Sequence, residues 1–164
     1  MRKISLFNLF FFGFITYGFA AEITIGELRF RATHGTMPNS AAYVSITNNS
    51  IHPDRLVKVT SGLSKKTELH TMKMENDVVK MRKITDGIVI GAMKTINLAP
   101  GGDHIMLIGL TAPLNLGEQY QIKLHFERAG KIIVYGKAKL PKDVGKSSKN
   151  AADGHSHGTS ETRD

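Results

Sequence analysis

The sequence contains no cysteine. That absence removes a disulfide framework, a zinc–thiolate centre, a thiol nucleophile and the thiolate-ligated blue-copper site together. It also leaves an exported chain with no thiol to oxidise wrongly, and any redox role would need a bound metal. Tryptophan is absent as well, and acidic residues are scarce: 14 against 22 lysines and arginines, a net charge of +8. A basic balance admits nucleic acid, anionic lipid or an acidic protein as partner. No arginine-rich run and no basic–aromatic interleaving is present, so nucleic acid is set aside and the cations are read as solvated surface. No Ser-His-Asp ordering, paired-carboxylate motif or phosphate-cradling loop occurs. Pro100-Gly101-Gly102 is a turn ahead of a strand, with no helix to follow. The chain is therefore not read as an enzyme.

What is present falls into three parts. Met1-Arg2-Lys3 is a positive start, Ile4 to Phe19 is almost wholly apolar, and Gly18-Phe19-Ala20 supplies small residues where a signal peptidase looks for them. Residues 1–20 are read as a signal peptide cleaved after Ala20, which places the mature chain in the periplasm; an uncleaved membrane anchor is the competing reading. Residues 21–140 form one domain, as the 164-residue length and the lack of repeats suggest. Residues 141–164 are polar and poor in apolar side chains, and are expected to be a disordered tail carrying His155 and His157.

No window of the middle part shows a long helical period. Short alternating segments bounded by turn residues dominate instead, which predicts an all-β, antiparallel β-sandwich. Strands are expected over 22–30 (with a bulge at Gly26), 42–47, 56–60, 67–74, 78–84, 96–98, 104–110, 120–126 and 131–135. The segments 67–74 and 78–84 form a hairpin that brings His70 close to Met81.

The chemistry lies in the histidines and methionines of this domain. His70, Met81, His104 and Met106 follow a His-x10-Met and a His-x-Met spacing. His104 and Met106, two apart on a strand, project from one face, as do His70, Met72 and Met74. Thioether sulfur is soft and uncharged, so imidazole with thioether suits Cu(I) better than a hard or divalent cation. Taken singly, each residue could equally be packing; the grouping of methionines beside histidines is what points to metal. His34 and His52 are read as loop surface and His125 as structural.

The segments Glu68-Leu-His-Thr-Met-Lys-Met74, Val79-Lys-Met-Arg82 and Leu98-Ala-Pro-Gly-Gly-Asp-His-Ile-Met-Leu107, with Arg31-Ala-Thr33 and Ala41-Ala-Tyr-Val44, resemble the periplasmic copper chaperones of the PCuAC type. The resemblance spans about residues 22–140. It implies a cupredoxin-like or Ig-like sandwich holding one Cu(I) through His70, Met81, His104 and Met106, with Met72 in reserve. It departs in lacking a tryptophan before Arg31 and in the length of the stretch between Met81 and His104. It implies delivery of copper to a respiratory oxidase, notably cytochrome c oxidase subunit II, or to another copper chaperone, by a monomer. His155 and His157 suggest a separate Cu(II) site in the tail. The rival readings are a copper-scavenging protein that does not hand its ion on, and a metal-free interaction module.

Overall fold

The computed structural model describes residues 22–145. The leader with its cleavage point at Ala20, and the tail histidines His155 and His157, lie outside the described residues.

Eleven strands and no helix make up the described chain. They are β1 (Ile23–Ile25), β2 (Leu28–Arg31), β3 (Asn39–Asn48), β4 (Asp54–Thr60), β5 (Ser64–Glu75), β6 (Val78–Lys83), β7 (Ile88–Ile90), β8 (Thr95–Leu98), β9 (His104–Leu110), β10 (Gln119–Phe126) and β11 (Lys131–Lys139). The main path runs β6-β5-β9-β3-β2-β11-β10-β4-β7, with β1 and β8 added on β3. Every pairing is antiparallel except β2 with β11, an exception to the all-antiparallel expectation. β4 and β5, far apart in that order, meet in space, so the sheet folds over into a sandwich.

Strand β3 is the pivot. Its first half pairs with β9 and its second with β8, so β8 and β9 lie end to end along one edge while Ala99–Asp103 loops outward between them. Along the other edge the register steps by one between Ile25↔Ile46 and Arg29↔Tyr43. This is the bulge anticipated at Gly26, and it breaks the expected first strand into β1 and β2. Glycine fits there because a Cβ would sit 2.1 Å from the Ser45 hydroxyl, which would have to rotate away.

Alternation places Phe30, Ile46, Leu56, Ile105, Leu107 and Leu124 fully inside one core cluster. Each such side chain contributes about 1.5–3 kcal/mol of burial, most of it offset by chain ordering. Leu69 belongs to that core at 4% exposure, although the sequence pattern gave its face of β5 no advantage over the His70 face. Strand β7 was not anticipated; three residues after the Asp86-Gly87 turn are too short to display a period. The domain also continues past Leu140. Asp143 and Val144 donate backbone hydrogen bonds to the Leu140 carbonyl, and Val144 packs, 2% exposed, with Ala41 and Tyr43. Val144 is the apolar contact that ties residues 141–145 to the sheet.

The hairpin of β5 and β6 turns through Asn76 and Asp77, at φ 51° and 60°. Two left-handed residues make the tight turn whose twist suits a hairpin, and Asn and Asp accept that conformation readily. The turn fixes the register: Met72 faces Met81, and His70 faces Lys83.

Candidate metal centre

The outward face of β6, β5 and β9 carries the histidines and methionines. His70 stands directly opposite His104, and Glu68 opposite Met106. Residues two apart on one strand and directly opposed on the next share a face. Glu68, His70, Met72, Met81, Lys83, His104 and Met106 are therefore all on the side away from Leu69, Ile105 and Leu107. The Ala99–Asp103 loop starts β9 at His104, and Gly101, at φ 82°, gives that turn its left-handed step.

Met72, Met81, His104 and Met106 line one open cleft of about 470 Å³, together with Arg31, Met37, Tyr43 and Pro100. His70 is not part of this lining; its ring centre lies 6.0 Å from that of His104. Tyr43 packs beneath, its ring centre 6.5 Å from His104, and burial pushes its hydroxyl pKa up despite the opposing pull of Arg31. His104 is 3% exposed, whereas Met81, on the edge strand, is 47% exposed. The cleft thus has a rigid imidazole floor and a thioether rim open to solvent.

Hydrogen bonds choose the free nitrogen on each ring. His104 Nδ1–H donates to the Gly102 carbonyl at 2.9 Å, which leaves the Nε2 lone pair for a ligand. His70 is held the other way round. Its Nε2–H donates to Glu68 Oε2 at 3.0 Å, and its Nδ1 is buried without a partner. A buried acceptor without a donor is costly, by about 1–3 kcal/mol; a metal ion would satisfy it. Glu68 also accepts from Lys83 Nζ at 2.8 Å. The His70 bond and then the Lys83 bond hold the Glu68 carboxyl below its ordinary range. A carboxylate fixing the tautomer of a histidine is a common support for a metal ligand.

Two imidazoles bound to one ion, each by a bond of about 2 Å, place their ring centres about 5–6 Å apart, close to the separation seen. Among the described residues no three His, Asp or Glu side chains gather into a metal-sized group. Any capacity for metal here depends on the thioethers.

The sequence pattern named four of these side chains and put Met72 in reserve; Met72 lies in the cleft, directly across from Met81. The expected meeting of His70 and Met81 is diagonal: two ladder steps separate the His70–Lys83 pair from the Met72–Met81 pair. Met37, not counted with the site, lines the cleft from the β2–β3 loop. Glu68, Arg31 and Tyr43 were visible only as part of the resemblance. A carboxylate two residues before a histidine on one strand was the signal that could have found Glu68. Met74, at the exposed end of the hairpin, and Met93 are not part of the cleft lining.

The model of the LpqE-like family, described as "Putative lipoprotein LpqE-like", matches residues 23–135. A relative from Leifsonia xyli subsp. xyli (strain CTCB07), "Putative lipoprotein Lxx21020", is 36% identical over 87 residues, 53% of this chain and 52% of that one. The chain spans about half the length of the curated relatives it matches. Among solved structures, the copper-bound PCuAC domain from PmoF2 superposes with a TM-score of 0.61 at 23% identity, covering 73% of this chain and 94% of that domain. The solution structure of CuI-DR1885 from Deinococcus radiodurans gives 0.56 at 29% identity, covering 71% of this chain and 77% of that one. The family match over residues 23–135 shows that the chain belongs to the LpqE-like family, and its β-domain has the cupredoxin-like fold of the PCuAC domains.

Proposed function

We propose that this chain is a periplasmic Cu(I) carrier that holds one ion through His70, Met81, His104 and Met106, with Met72 as a replacement ligand. The observation that carries the reading is the buried, unpartnered His70 Nδ1 beside His104, on a face whose other donors are thioethers. Neutral imidazole and thioether leave the ion its own single charge, and the soft sulfurs favour the reduced state. Arg31 lines the same cleft, and the Glu68 carboxylate behind His70 is already paired with Lys83, which disfavours a second positive charge on the ion. The copper named in the two solved neighbours supports the same cargo.

The open rim suits exchange. Met81 is the most exposed of the four donors, on an edge strand, so a partner's ligand can replace it first while His104 still holds the ion from the floor. The metal then passes by ligand replacement and is never free in solution. We assign as recipient a copper-accepting protein, such as cytochrome c oxidase subunit II or another copper chaperone. The protein acts as an exported monomer released by cleavage after Ala20, and His155 and His157 bind Cu(II) separately and weakly. The names of the lipoprotein relatives point to export as well, although this sequence holds no cysteine for a sulfur-linked lipid.

Titration of Cu(I) against a competing chromophoric chelator should give one tight equivalent, retained after truncation behind Gly145. Transfer from the loaded protein to an apo-acceptor then separates delivery from storage: retention against every acceptor would favour the scavenging role. Absence of any Cu(I) stoichiometry would overturn the reading altogether. Mass spectrometry of the mature protein tests the cleavage point.

A further inference from the structure

A second concavity, of about 590 Å³, lies between β4 and β5. Its walls are two strand edges. β4 pairs with β7 only over Asp54–Leu56, and β5 pairs with β6 only from His70 onward. The Leu69 carbonyl accepts the Ile84 N–H at 2.8 Å and closes the groove at that end; the groove-side edges of residues 57–60 and 64–68 have no strand partner among the described residues, and the two strands meet without forming a ladder. An uncovered strand edge is a template for another extended chain, which adds main-chain hydrogen bonds as a new strand.

The lining chemistry selects the sequence of that chain. Lys58, Lys65, Lys66 and Lys83 line the groove, and Glu68 is its one acidic residue. Glu68 is already engaged by His70 and Lys83. Lys58 adjoins His125 on β10, whose pKa is lowered by burial and then by Lys58, Lys131 and Lys123, so the positive potential extends beyond the groove. Glu68 and Lys83 lie at the end nearest the metal centre, which joins the groove to the copper cleft through the His70–Glu68 bond.

We propose that the β4–β5 groove docks an extended acidic segment of the protein that exchanges copper with this chain. The inference rests on the carrier reading for the identity of that protein. A concave slot walled by strand edges fits a peptide; a bilayer surface adsorbs to flat or convex faces. At a strand rise of about 3.3 Å per residue, each wall accommodates about four to six residues of such a segment. Docking there places the partner's own ligands beside His70 and the thioether rim.

The test uses the mature full chain and an end-blocked peptide of about eight residues alternating aspartate and valine, with its asparagine counterpart as control. Amide NMR shifts should move in Val57–Thr60 and Ser64–Glu68 with the aspartate peptide alone, and binding should weaken as salt screens the lysines. Lys58→Glu with Lys66→Glu should weaken it at least about tenfold. Lys137→Glu, on β11, should leave it unchanged. Cu(I) affinity should be the same in all of these variants, because none of these lysines lines the copper cleft. Equal binding of the asparagine peptide, shifts on another face, or indifference to the double charge reversal would overturn the groove. So would binding of anionic phosphatidylglycerol vesicles, but not of the peptide, through the same lysines. A protein that binds the peptide but not Cu(I) would refute the carrier reading and leave the groove standing; one that binds Cu(I) and ignores the peptide would do the reverse.

Discussion

The two faces of the β5–β9 pair are built from the same backbone and carry opposite duties. On the inner face Leu69, Ile105 and Leu107 belong to the core cluster. On the outer face, one residue along in each case, stand His70, His104 and Met106. Because side chains alternate, a single-residue slip in register would put imidazoles in the core and leucines in solvent. The core therefore fixes the register, and the register sets the donors side by side. The inner face is interchangeable in chemistry and strict in volume; the outer face is the reverse.

Exchanging which face is damaged should separate the two roles most widely at the adjacent pair His104 and Ile105. His104→Ala should lower Cu(I) affinity by more than the about 10–100-fold that loss of an outer-shell partner costs, with a smaller stability cost of about 1–3 kcal/mol from the lost bond to the Gly102 carbonyl. Ile105→Ala should cost about 2–5 kcal/mol in denaturant unfolding, with Cu(I) affinity of the folded fraction unchanged. A variant of either kind that moved both readouts equally would erase the distinction between the faces.

Thioethers give the next largest contrast. Met106→Ala and Met81→Ala should each weaken Cu(I) binding in competition titrations. Met81, nearly half exposed, should do so within about 0.5 kcal/mol of parental stability. Met93→Ala, outside the cleft, should change nothing. Met37 lines the cleft, so Met37→Ala should also weaken Cu(I) binding, by less than Met81→Ala.

The supporting carboxylate should matter less than a ligand. Glu68→Gln keeps shape and removes charge, and should reduce Cu(I) affinity by about tenfold. It should also shift the His70 tautomer seen in nitrogen-15 spectra, away from the form protonated at Nε2. Unchanged tautomer and affinity would leave Glu68 with only its ion pair to Lys83.

The smallest effect belongs to His125, which is on an outward face of β10, a strand that contributes no residue to the cleft. Its pKa is lowered from 6.5, first by burial and then by Lys58, Lys131 and Lys123. The unfolded chain then binds a proton more readily than the folded one below that value. Stability is undiminished above pH 6.5 and declines as the pH falls beneath it. His125→Gln should flatten this decline in thermal melts without touching Cu(I) affinity.

Much of the outer face was legible from spacing, because period two is imposed by the strand itself. His104 and Met106 could be set on one face without any tertiary knowledge. The inner face was less so: Leu69 between Glu68 and His70 has no apolar partner two residues away on its own strand, and its core role comes from Ile105 across the ladder. The pairing of Met81 with Met72 depended on where two left-handed residues closed the hairpin. The placement of Met37, Arg31 and Tyr43 depended on β3 bringing distant segments beside β9. Val144 shows the same limit at the C-terminal end: one valine's contact with Tyr43 is invisible in a stretch of lysine and aspartate. The β4–β5 groove had no sequence signal at all, since it consists of pairings that are not made.

X-ray absorption at the copper edge of the protein loaded with one equivalent of Cu(I) tests the central claim most directly. The account predicts a reduced ion with both nitrogen and sulfur in its first shell, and loss of part of the sulfur contribution in Met106→Ala with the nitrogen contribution retained. A first shell of nitrogen and oxygen alone, unchanged by Met106→Ala, would contradict it.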